Sequence, residues 1–212
     1  MTAADIPWRA APAPGYAGPR IALIHGFMAG AHMQRHLLRF LRDAGFQDAT
    51  LYSNNLAPAA IADDLAAAAA SGRPVALVGY SQGGFQAVKV ARCLARRGVR
   101  IDLLASIAAG GVGRWHPAQW GFDPRRLPEG VRRCLNIWSE ADFMGSDRRG
   151  VRNRVPAEAA NEWVDNVCLP RALAVDHIAL VRCYPEARVP EAVRRLVLDR
   201  LLAELSALTG AA

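Results

Sequence analysis

Lysine is almost missing from this chain: of 26 basic residues only Lys89 is a lysine, and the rest are arginine. The net charge of +7 is therefore an arginine bias spread along helices and loops. Aromatic residues are few, at 7%, and are not interleaved with the basic ones, so the stacking platform that single-stranded nucleic acid needs is missing. No nucleic-acid partner is expected. The densest basic cluster, Arg148, Arg149, Arg152 and Arg154, reads as a solvated loop. No run approaches the roughly 18 consecutive apolar residues of a membrane-spanning helix. The start, Met1 to Gly18, is rich in Ala and Pro without a continuous apolar core, so neither a transmembrane segment nor a secretory signal is expected. Cys93, Cys134, Cys168 and Cys183 form no C-x-x-C pair and fall in apolar segments, which predicts buried free thiols in a reducing compartment, most simply the cytoplasm.

What is present is enough apolar material for one core. With 212 residues and 52% hydrophobic content, the chain is long enough to fold as one domain without disulfides or metals. Short apolar runs alternate with segments of helical period, the signature of an α/β fold with a parallel sheet covered on both faces. Strands are expected at Arg20 to Ile24, Ala49 to Tyr52, Pro74 to Gly79, Ile101 to Ile107, Cys134 to Trp138 and Trp163 to Leu169. Helices are expected at His32 to Ala44, with Met33, Leu37, Phe40, Leu41 and Ala44 on one face, at Ala57 to Ser71, at Gln82 to Arg97 and at Pro190 to Leu208. Gly45 and Gly98 read as helix stops. The expected organisation is a Pro- and Gly-rich lead-in over 1–19, a domain over 20–208 and a short tail over 209–212.

The chemistry centres on Gly79-Tyr80-Ser81-Gln82-Gly83, between the apolar run ending at Val78 and the helical stretch from Gln82. A G-x-S-x-G turn between strand and helix strains the serine backbone and lifts its hydroxyl clear at the carboxyl end of a parallel strand. The helix behind it also aims its positive end at that oxygen. Ser81 is thus a candidate nucleophile, and serine needs a general base plus an acid to orient that base. At strand–turn–helix sites the chain order is serine, carboxylate, histidine. Two histidines follow Ser81. His116 lies in an aromatic insertion before Pro117, whereas His177 follows the last expected strand and precedes the helical tail, which makes it the candidate base. For the acid, Asp142 leaves the sheet just beyond Leu135-Asn136-Ile137-Trp138; Glu140 is its nearest rival, with Asp165 and Asp176 weaker ones.

A tetrahedral intermediate also needs donors for its oxyanion. The backbone N–H of Gln82 is one candidate, and that of Phe27, in Ile24-His25-Gly26-Phe27-Met28, is the other. His25 reads as a support for this loop. The weakly patterned stretches Gly110 to Arg133 and Phe143 to Ala157 follow expected strands, where ligand crevices form in open parallel sheets. Met28, Trp115, Trp120 and Phe122 are candidate substrate-binding residues, although the three aromatics suit packing their loop onto the body equally well.

His25-Gly26-Phe27, Gly79-Tyr80-Ser81-Gln82-Gly83-Gly84, the turn around Asp142, and Asp176-His177-Ile178-Ala179-Leu180 together resemble the α/β-hydrolase superfamily over residues 20 to about 205. The chain's compactness is similar to the small, minimal lipases and esterases, from which it departs at Gly79, where they carry alanine, and at Asp176, often a glycine. The stretch from Gly79 to Gly98 also resembles thioesterases that unload acyl carriers. The resemblance implies Ser81 as nucleophile, Asp142 as acid, His177 as base, Phe27 and Gln82 as oxyanion donors, and a small ester or acyl substrate, with no cofactor and no metal. Cleavage of a carboxylic ester through an acyl-serine is the leading expectation. Hydrolysis of an acyl thioester comes second, and a non-catalytic binding module on the same fold third.

Overall fold

The structure is a computed structural model that describes residues 7–158 and 161–209; the outer ends of the expected lead-in and tail, 1–6 and 210–212, lie outside the described residues. Six parallel strands form one open sheet: β1 (Arg20–His25), β2 (Ala49–Ser53), β3 (Val75–Tyr80), β4 (Ile101–Ile107), β5 (Val131–Ser139) and β6 (Trp163–Leu169), in the order β2-β1-β3-β4-β5-β6. β1 and β3 are buried at every position, so their near-continuous apolar runs belong to strands covered on both sides. β6 is one of the two edge strands, half-buried along most of its length, and carries the polar Asp165 and Asn166.

Helix α1 spans 30–43, α2 is Pro58–Ala70, α3 is Gln82–Ala95 and α4 spans 191–209. Alternate strand residues face opposite layers. Ile21 and Leu23 pack with Met33, Leu37 and Leu41 of α1 and with Val197, Leu201 and Leu205 of α4. Ala22, Ile24 and Leu77 pack with Ile61 and Leu65 of α2 and with Val88, Ala91 and Leu94 of α3. α1 and α3 end at Gly45 (φ 94°) and Gly98 (φ 70°), where the left-handed backbone closes the last turn.

Several boundaries and faces differ from expectation for identifiable reasons. β5 begins at Val131, three residues earlier than its apolar run, because Arg132 and Arg133 reach out of the strand to Glu162 and Glu204 at 2.7 and 2.8 Å. A π turn over Gln34–Leu38 in α1 swings Leu38 into the core beside Leu37, while Ala44, expected on that face, is exposed. Of the four free thiols, Cys134 and Cys183 are buried as expected, but Cys93 and Cys168 are half-buried, one on the outer side of α3 and one on the edge strand β6. No helix among the described residues is long and apolar enough to cross a membrane.

The strand order determines where a crevice opens. From β1 the chain moves outward to β2, then returns across β1 to build β3 on the other side, so the loops leaving β1 and β3 diverge. That switch point lies at the carboxyl ends of the strands and is where open α/β sheets hold their ligands. Leu77, fully buried in β3, anchors the strand that leads to it. Leu77→Ala should cost about 2–5 kcal/mol, read as a lowered urea midpoint with an unchanged slope; a loss below about 1 kcal/mol would show that the site can collapse around the gap.

Candidate active site

Ser81 joins β3 to α3 with φ 55° and ψ −124°, a backbone region that residues with side chains rarely occupy. Such strain, about 1–3 kcal/mol, persists only where neighbours over-determine it. Here the Ser81 N–H donates to the Ile107 carbonyl at 2.8 Å and the Gly84 N–H donates to the Ser81 carbonyl at 2.9 Å. The turn is tight enough that side chains are barred on either side of it. A Cβ on Gly79 would lie 2.4 Å from the Gly83 oxygen, and one on Gly83 would lie 1.9 Å from the Ile24 oxygen. The loop after β1 presses equally close, since a Cβ on Gly26 would be 2.7 Å from that of Ser81.

His177 sits on the loop after β6, 8% exposed, with Nδ1 2.7 Å from Asp142 Oδ2. Asp142, 2% exposed, accepts at Oδ1 from the backbone N–H groups of Met144 and Gly145, both at 2.9 Å, so its second oxygen is directed at the imidazole. Glu140 is exposed and instead accepts from the Arg171 N–H at 3.2 Å. Asp176 closes its own turn by accepting from the Ala179 N–H at 2.8 Å, and Asp165 pairs with Arg200. Of the four carboxylates considered, the one in contact with His177 is Asp142.

A cavity of about 470 Å³ brings together Ser81, Gln82, His177, Phe27 and Met28, with Tyr80, His32, His116, Val112, Met144 and Ile178 completing its walls. Phe27 and Met28 are largely exposed, and Met28 (φ 55°) shares the left-handed backbone of Ser81. His25 is buried, with Nδ1 2.7 Å from the Gly26 carbonyl and its ring edge-on to Trp8, the supporting position expected of it. Three expected lining residues fall elsewhere. Trp115 and Trp120 are 79% and 73% exposed, and the Trp120 indole donates to the Trp115 carbonyl at 3.0 Å. Phe122 lies under the cations Lys89 and Arg92, away from Ser81. The insertion before β5 folds into short turns, Gly111–Trp115 and Pro117–Gln119, that present Val112, Gly113 and His116 to the cavity instead of the tryptophans.

Residues without a motif signal also shape the site. Tyr80, the variable residue of the elbow, donates its hydroxyl to the His177 carbonyl at 2.9 Å and stacks its ring 4.9 Å from the imidazole. Burial first, then the Asp142 and Asp176 charges, push the Tyr80 hydroxyl well above its ordinary range, so it stays a donor. The Ser139 hydroxyl, at the end of β5, donates to the Val175 carbonyl at 2.6 Å and ties down the start of the histidine loop. Gln82 donates its side-chain amide to the Gly113 carbonyl at 2.7 Å and accepts from Gln119 at 2.9 Å, joining the helix behind Ser81 to the insertion. His36 of α1 grips the far end of the histidine loop: its Nδ1 accepts from the Cys183 and Tyr184 N–H groups at 3.3 and 3.2 Å. The i, i+4 spacing of His32 and His36 was the one sequence signal available for this grip, and their rings lie 4.2 Å apart.

No known protein-family profile matches the chain, and no curated protein matches its sequence. Solved structures match it in shape. A hyperthermophilic esterase from the archaeon Pyrobaculum calidifontis superposes with a TM-score of 0.62 at 16% identity, over 94% of this chain and 80% of that one. The type II thioesterase from the yersiniabactin NRPS/PKS biosynthetic pathway gives 0.54 at 13% identity, over 96% and 98%. Human thioesterase 2 gives 0.50 at 12% identity, over 91% and 98%. The chain has the α/β-hydrolase fold.

The grip of His36 carries a pH dependence. Burial first, then the charges of His32, Arg35 and Arg182, lower the His36 pKa from 6.5 to about 4. Nδ1 can accept those two N–H bonds only while the ring is neutral. Because the folded value lies below the unfolded one, the unfolded chain binds more protons in between, and stability should fall as pH drops from 6.5 towards about 4. His36→Leu should flatten that acid slope in urea melts; an unchanged slope would assign it to other groups.

Proposed function

We propose that the protein is a serine hydrolase that cleaves a carboxylic ester through an acyl-serine intermediate. The observation that carries this reading is the shared cavity of Ser81 and His177, with the His177 Nδ1–H directed at the buried Asp142 carboxylate. With Nδ1 engaged, Nε2 is the nitrogen left to take the Ser81 proton as Oγ attacks the ester carbonyl. The resulting oxyanion is met by the backbone N–H groups of Gln82 and Phe27, each donor being worth about 3 to 4 kcal/mol in the transition state. His177 returns the proton to the leaving alkoxide, which departs as the alcohol. Water then attacks the acyl-serine with His177 again as base, and the acid and free Ser81 are released. Asp142 holds the imidazole in the tautomer with Nδ1–H and offsets its charge in the imidazolium form.

Met28, Ile178 and Val112 give the cavity apolar walls suited to an acyl chain or an alkyl leaving group. An acyl thioester is the second reading, favoured by the thioesterases among the proteins of similar shape. The same residues would act on it, because the tetrahedral intermediate differs only in its leaving group. The free thiols suit a reducing compartment such as the cytoplasm.

Ser81→Ala and His177→Ala should each lower kcat/KM for a short p-nitrophenyl ester by roughly 10³-fold or more, and Asp142→Asn by roughly 10³- to 10⁴-fold, with the melting temperature retained. Glu140→Gln should leave turnover unchanged. Full activity in Ser81→Ala would overturn the assignment. Matched oxygen and thio esters then decide the leaving group, a marked preference for the thioester replacing the first reading with the second.

A further inference from the structure

A second cavity, about 730 Å³, lies on the outward face of α3, lined by Lys89, Arg92, Cys93 and Arg96 of that helix, by Phe122 and by Glu129. Lys89, Arg92 and Arg96 follow i, i+3, i+7 spacing and so share one helical face. None of the three pairs with a carboxylate among the described residues. Lys89 donates to the Ala118 carbonyl at 2.9 Å, Arg92 to the Arg126 carbonyl at 3.3 Å, and Arg96 to the Arg92 carbonyl and the Cys93 sulfur, both at 3.3 Å. These neutral acceptors orient the cations without cancelling their charge. The Phe122 ring does the same, with the Lys89 ammonium 5.0 Å and the Arg92 guanidinium 4.5 Å from its centre.

Several other arginines do meet carboxylates. Arg20 and Arg73 share Asp48, Arg114 meets Asp147, Arg125 meets Asp123, and Arg132 meets Glu162. In the groove, like charges adjoin each other instead. The Lys89 ammonium is held below its usual range, first by burial and then by the neighbouring Arg92. An anion seated between them would offset the repulsion from Arg92. Glu129 is the one carboxylate in the lining, so the groove keeps a cationic excess, while Pro58, Ala95, Phe122 and Pro128 supply apolar wall beside it.

We propose that this groove is a binding site for a phosphomonoester carrying a short apolar body. The phosphate sits against Arg92, Arg96 and Lys89, where planar guanidinium groups can donate paired hydrogen bonds to its oxygens, and the apolar body lies along the prolines and Phe122. The site is separate from the Ser81 cavity and does not depend on the reaction assigned there. The same chemistry is offered by a soluble alkyl phosphate and by a phosphatidic acid headgroup; the short apolar wall of the groove, two prolines, Ala95 and Phe122, matches the body of the soluble form, and vesicles tell the two sources apart.

Isothermal titration of the full chain with hexyl phosphate and with inorganic phosphate, beside co-sedimentation with vesicles containing phosphatidic acid, tests it. Hexyl phosphate should bind saturably, and inorganic phosphate at least about tenfold more weakly because it lacks the apolar body. The double variant Arg92→Gln, Arg96→Gln should weaken hexyl phosphate by about tenfold or more. If that variant does not melt like the parent, Lys89→Gln alone should still weaken binding. Absence of saturable hexyl phosphate binding, equal affinity in a folded variant, or attachment to vesicles alone would each overturn the proposal.

Discussion

The structure is organised around a crossing point with no room for side chains. At Ser81 the end of β3, the start of α3 and the loop leaving β1 approach so closely that glycine is the only residue Gly79, Gly83 and Gly26 can be without moving backbone. That closeness holds Ser81 in a backbone conformation it would not adopt alone, because straightening the turn would pull apart the packing of Leu77, Ile24 and Val88 behind it. Core packing and local strain are thus opposite ends of one balance. Burial over the sheet offsets the backbone strain at Ser81.

The imidazole is held differently, by polar bonds rather than by packing. Asp142 bonds the ring itself from beyond β5, while the loop that carries it is tied down by Tyr80 at the His177 carbonyl, by Ser139 at the Val175 carbonyl and by His36 of α1 at the Cys183 and Tyr184 N–H groups. Buried hydrogen bonds of this kind are individually modest but costly to leave unmade, so the loop has one position that satisfies all of them. Gln82 extends the same principle to the insertion before β5, since its side chain bonds to Gly113 and Gln119. The wall of the cavity is therefore tied to the helix that starts behind Ser81. Loops with little regular structure are ordered here by elements far away in sequence.

The fold was legible wherever one residue period dominated. β4 and β6 run as the pattern predicts, and the helix stops at Gly45 and Gly98 follow from backbone preference alone. The pattern failed where a side chain escaped its local logic. Arg132 and Arg133 belong to a strand because their long stems carry the charge out to acidic partners, and Leu38 is buried because a π turn shifts the face of α1 by one residue. At the site, the order of Ser81, Asp142 and His177 and their places after strands could be read directly. The tryptophans of the insertion could not, since apolar character alone does not say which way a loop residue turns.

Alternation of apolar runs, the glycines around Ser81 and the succession of serine, carboxylate and histidine are local properties, and the sequence by itself determined the parallel sheet and the position of the elbow. Which carboxylate meets His177, that Tyr80 and His36 hold its loop, and that Met28 lines the cavity while Trp115 and Trp120 do not were decided only by the tertiary structure. The reason is physical: these contacts join groups tens of residues apart, and their pairing depends on loop paths that chain periodicity does not encode but simultaneous packing and hydrogen bonding do.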